Sequence, residues 1–102
     1  MGTRLELHNK LVDLLGSSEV YFQPPESVKM KYPAIVYSLD EISTHYADNR
    51  SYASIHRYKI TLIERNPDSK FIDAIQDNLQ SIQFDRAYTS DNLNHYVYII
   101  YY

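Results

Sequence analysis

The sequence predicts an α+β domain: an antiparallel sheet of about four strands with two helices packed on one face, in the order α-β-β-β-α-β-β. Three observations carry that expectation. Residues 3–16 space apolar side chains at helical intervals between a capping pair and a glycine, and residues 34–65 hold two long strand-like stretches. The last two runs, from Ile82 onward, flank a polar cluster as hairpin arms do. Sequential strands joined by short connections favour antiparallel pairing, and 102 residues suit one domain, 1–102, with a single modest core.

Each element has a local reason. Thr3 followed by Glu6 is a capping box, and Gly16 is placed to end the helix. Between them Leu5, Leu7, Leu11, Val12, Leu14 and Leu15 share one broad face, with Glu6, Asn9, Lys10 and Asp13 opposite. His8 lies within the apolar arc. "VYF" is a short extended piece stopped by Pro24-Pro25, since neither proline donates to a ladder. A strand is expected from about Ala34 to Ser43, apolar on both faces in its middle. Residues 43–53, containing "THYADNRS" and the turn pair Asp48-Asn49, lack apolar periodicity and read as a polar loop.

From Tyr52 to Arg65 the chain reads as its longest strand. Tyr52, Tyr58, Ile60 and Leu62 share one parity with Ser54, His56 and Glu64; the other parity carries Arg57, Lys59 and Arg65 and is partly wet. Asn66 as N-cap and Pro67 at the first helical position predict a second helix, with a narrow stripe of Phe71, Ile72, Ile75 and Leu79. "IQFDRAY" and "NHYVYIIYY" then flank "TSDNL" as a closing hairpin with a loop of about four or five residues.

The last strand poses the sharpest question. Tyr96, Tyr98, Ile100 and Tyr102 point one way, and His95, Val97, Ile99 and Tyr101 the other, so both faces are apolar or aromatic. Two helices of ~12 residues, each ~18 Å long, cover one face of a four-stranded sheet and not both. The pattern leaves open which parity faces inward. The uncovered face is expected to be an interaction surface, and the 11 tyrosines suit one, each pairing a large apolar area with a wettable tip.

Composition narrows the chemistry. Without cysteine there is no disulfide, thiolate zinc site or cysteine nucleophile, which fits a reducing cytosol. No run of ~18 apolar residues suggests a membrane span, and "MGTRLELHNK" lacks a signal-peptide core. Two glycines cannot build a phosphate cradle, and no nucleophile elbow is present. His45 with Asp48 lacks a third metal ligand in sequence, so no metal and no cofactor is expected. His56, His95 and Glu64 would form an acid–base set only if the fold brought them together. With 13 acidic against 10 basic residues the charge is −3, so no specific nucleic-acid binding is expected. The alternative is an aromatic and basic sheet face, Arg57, Lys59 and Arg65 beside Tyr52 and Tyr58, that binds single strands.

The strings "VYFQPPESVKMKYPAIVYSLD", "THYADNRSY", "HRYKITLIERNPDS" and "DNLNHYVYIIYY", in this order over residues 5–102, resemble the tail-completion or tail-terminator proteins of long-tailed phages and prophages, some of them called head-tail joining or minor capsid proteins. The resemblance implies a small α+β fold without enzymatic activity. It implies a virion protein, made in the host cytoplasm, that assembles as a ring of six copies on the tail tube protein and offers a surface to the head connector or stopper. It transfers no residue-level site. From the residues themselves the contact candidates are His45, Tyr46, Asp48, Asn49, Arg50, Tyr52, Arg57, Tyr58, Tyr96, Tyr98 and Tyr102.

Overall fold

The computed structural model describes residues 3–25, 28–47 and 50–102, with the side chains of 44–54 outside that description. Its elements are α1 (Arg4–Leu15), β1 (Val20–Phe22), β2 (Ala34–Ala47), β3 (Arg50–Glu64), α2 (Phe71–Asn78), β4 (Ile82–Ser90) and β5 (Leu93–Tyr101). The α+β class and the element order are those the sequence predicts. The sheet differs: it has five strands in the order β1-β2-β3-β5-β4, and it is mixed, because β1 runs parallel to β2. The proline pair after Phe22 keeps β1 to three residues at the sheet margin, where a missing donor costs least.

α1 forms as its caps require. The Thr3 hydroxyl accepts from the Glu6 N–H, and Gly16 takes the left-handed conformation (φ 75°) that an L side chain resists. Its Leu7, Leu11 and Leu15 are buried against Ile35, Tyr37, Ile60 and Leu62, while Leu5 stays exposed. Each buried leucine contributes about 1.5–3 kcal/mol. α2 is shorter than expected, starting at Phe71 and burying Ile75. Asn66 does not cap it; its side-chain oxygen accepts from the Asp68 N–H, closing an Asx turn that precedes the helix.

The turn from β3 into α2 is organised instead by buried Glu64. Its Oε1 accepts from the N–H groups of Arg65 (3.0 Å) and Asn66 (3.4 Å), and its Oε2 from the Ser69 hydroxyl (2.8 Å). The Ser69 oxygen in turn accepts from the Phe71 N–H at the helix start. Both oxygens of a buried carboxylate thereby accept locally, three hydrogen bonds in all, which offsets its desolvation.

Two polar segments expected as loops are strand. Residues 43–47 and 50–53 continue β2 and β3, whose pairing runs from Ala34↔Ile63 to Ala47↔Arg50. Among the described residues no core member lies between Tyr37 and Tyr58, so a hydrophobic alternation has no described core to report there. Likewise the closing hairpin turns on Asp91 and Asn92 alone, at φ 52° and 63°, where short polar residues tolerate positive φ.

Beyond Phe22 and Arg57 neither β1 nor β5 follows the long hairpin. Residues 40–47 and 50–56 therefore project as a two-stranded arm, roughly 25 Å long at ~3.3 Å per residue, and the molecule measures 51 × 30 × 23 Å. A bulge at Asp40 marks where the arm leaves the sheet.

Candidate assembly surface

Strand pairing sorts the side chains onto two faces. Ile35, Leu62 and Tyr96 form one row, Tyr37, Ile60 and Tyr98 the next, and Tyr58 with Ile100 a third. All lie under the helices. Tyr98 is fully buried, its hydroxyl donating to the Ile72 carbonyl at 2.7 Å with Phe84 edge-on at 5.5 Å. Tyr96 donates to the Pro67 carbonyl, and Lys10 stands 4.9 Å above the Tyr102 ring. Tyr58 is 4% exposed.

These positions correct the sequence-based choice of contact residues: Tyr58, Tyr96, Tyr98 and Tyr102 turn toward α1 and α2. Periodicity leaves the two parities of β5 nearly equivalent; which one meets the helices is set by the register with β3 and by where the leucine face of α1 lands. Of the remaining candidates, Arg57 stays outside. The backbones of His45, Tyr46, Arg50 and Tyr52 belong to the arm, their side chains lying outside the described residues, as do Asp48 and Asn49 altogether.

The helix-free face carries Thr61–Val97–Arg86 as one cross-strand row, with Ile63–His95–Tyr88 and Lys59–Ile99–Gln83 on either side. Val97 is only 3% exposed although no helix covers it, because its own neighbours on three strands close over it. Tyr88 and His95 stack with centroids 4.7 Å apart and planes 7° from parallel, and Tyr88 is about half exposed. An apolar ridge with an aromatic, basic margin results. At its arm end Arg57 reaches Asp40 Oδ2 at 2.6 Å and Glu41 Oε2 at 3.2 Å, tying the bulge to β3.

The histidines do not converge. His8 Nδ1 lies 2.7 Å from the Tyr37 hydroxyl, which also accepts from Arg4 at 3.1 Å. Burial first and the Arg4 charge second lower the His8 pKa below its ordinary value, favouring the neutral ring. His95 is on the open face while Glu64 and the parity of His56 are on the other, so the acid–base set is not assembled. Among the described residues no three metal-ligating side chains cluster. An open depression of about 480 Å³ lies between Glu6 and Lys10 of α1, Asn78 at the end of α2, and Tyr102.

Sequence reading missed Tyr88, Arg86 and the exposed Ile42. The signal for the first two was present in the alternation of "RAYTS" beside the equally alternating "NHYVYI". No helix among the described residues is long and apolar enough to cross a membrane. Compared with protein-family profiles and with curated proteins, the chain matches none.

Proposed function

We propose that this chain is a virion assembly module of the tail-completion kind: a phage structural protein that caps the tail tube as a ring and offers the head connector its joining surface. One observation carries the reading. The helix-free face, with half-exposed Tyr88, and the outer edge of β2 beyond Leu39, without a strand partner among the described residues, are two different surfaces, and a closed head-to-tail ring needs two unlike complementary patches. The family resemblance of the sequence supplies the tail tube and head connector as the partners. The mechanism is surface complementarity, with the ridge around Val97 and the arm as contact surfaces.

The test is complementation of a phage or prophage deleted for this coding sequence. The parent chain should restore joined particles, and a folded Ile99→Glu, Tyr88→Ser double variant should leave heads and tails separate. Failure of the parent chain to restore joining would refute the reading. A second reading, single-strand nucleic-acid binding, is favoured by the Tyr88–His95 stack beside Arg86 and Lys59 rather than by Tyr58. It requires salt-sensitive oligonucleotide binding that Tyr88→Ala weakens at least tenfold; flat titrations at low salt eliminate it.

A further inference from the structure

The strand edges point to how copies meet. β4 is a nine-residue edge strand, exposed at every position after Ile82, and it carries neither proline nor lysine to discourage pairing. A bulge at Asp85 is its one departure from regularity. On the other side of the sheet β1 covers β2 only at residues 35–37, and Gln23 Oε1 accepts the Leu39 N–H. Beyond Leu39 the outer edge of β2 has no strand partner among the described residues.

Resting on the assembly reading above, we propose that copies join by strand addition, the outer edge of β4 in one copy pairing antiparallel with the free edge of β2, from Asp40 onward, in the next. Directions agree: β2, β3, β5 and β4 alternate across the sheet, so a repeat of the unit places β4 beside an oppositely running β2. Faces agree as well. With Tyr88 opposite Glu41, Ala87 meets Ile42 on the helix side, and Arg86 meets Ser43 on the open side. The exposed Arg86 guanidinium then lies diagonal to the half-exposed Glu41 carboxylate, and exposed Ile42 gains an apolar neighbour.

The offset is also reasonable for closure. Tyr88 is level with Ile63 and Glu41 with Arg57, so the join is staggered by about six residues, roughly 20 Å, over four strand spacings of ~4.8 Å. That corresponds to a strand tilt near 45°, at the upper end of the range for closed sheets. The open faces of successive copies then form one continuous surface, with Val97 and the Tyr88–His95 stack on its wall.

The chain has no cysteine, so cross-linking reads the join directly. Ile42→Cys and Ala87→Cys sit on well-separated strands of one copy and cannot bridge within it, while a paired neighbour brings them to the ~5 Å of a cross-strand pair. Mild oxidation of the concentrated full-length double variant should give a covalent ladder beyond dimers. Each single variant should stop at dimers at most. Arg86→Glu in the double variant should cut the ladder several-fold, and Glu41→Arg added to it should restore the yield. A double variant yielding nothing beyond dimers overturns the pairing, whether or not particles complete. A ladder from a chain that fails to join particles keeps the pairing and retires the tail-completion reading.

Discussion

Replacing Tyr98 separates a core role from a contact role. The residue lies in β5, between β3 and β4, is fully buried, packs against Phe84 and ties the sheet to α2 through its 2.7 Å bond to the Ile72 carbonyl. Tyr98→Phe removes only that bond, at a cost of about 1 kcal/mol. Tyr98→Ala also empties the ring volume, and aromatic truncations in cores cost about 3–5 kcal/mol. Against a total stability of about 5–15 kcal/mol for such a domain, that is at least about a fifth. In urea, with a slope of about 1.5 kcal/mol/M, the midpoint should fall by roughly 2–3 M for Tyr98→Ala and by less than ~1 M for Tyr98→Phe. Half-exposed Tyr88→Ala should move it by less than ~0.5 M. A Tyr98→Ala midpoint within ~0.5 M of the parent would refute the placement of this parity under the helices.

Three further outcomes follow from named contacts. Glu64→Gln and Ser69→Ala should each cost about 1–3 kcal/mol, and the double variant should cost clearly less than their sum, because both belong to one network; additive losses in urea titrations would break that account. His8 has a folded-state pKa below its ordinary 6.5, so the unfolded chain binds a proton first and stability should fall as pH drops below about 6.5; His8→Gln should flatten that limb of the midpoint-versus-pH curve. Tyr98 is pushed up to about 12 by burial, with Asp73 adding to it, and burial also raises Tyr37. Stability should therefore be lost as pH rises through 10 toward 12, and absorbance titration should show these phenols ionising after the exposed tyrosines.

What was legible in the sequence was local. The α1 caps work through one side chain and one glycine, and both elements of that signature stand within a few residues of the helix they close. The α2 start was misread because Asn66-Pro67 satisfies a capping rule and an Asx turn equally well; the decision lies with Glu64 and Ser69, whose burial depends on the whole β3–α2 junction. The arm reads as a loop because amphipathic alternation reports a core, and among the described residues no core member lies between Tyr37 and Tyr58. For β5 the residues showed two nearly equivalent faces. Only the register with β3, Tyr58↔Ile100 and Ile60↔Tyr98, puts one set beneath α1 and α2 and leaves His95, Val97, Ile99 and Tyr101 outside.

The arm extends away from the described core. Among the described residues, the core cluster has no member between Tyr37 and Tyr58. Ordering backbone costs about 1–2 kcal/mol per residue, and an isolated two-stranded ribbon is marginal in water. Its base is nevertheless defined, by the Asp40 bulge and by Arg57 bridging Asp40 and Glu41, and exposed ion pairs of that kind supply at most about 1 kcal/mol each. A ribbon so aimed and so weakly supported within its own chain gains stability from whatever strand it meets. On the proposed strand addition, the exposed edge of β4, running in the opposite direction on the far side of the sheet, would provide that strand in a second copy. Pairing the two would cover both uncapped edges at once, and each added copy would present a free β2 edge at one end and a free β4 at the other.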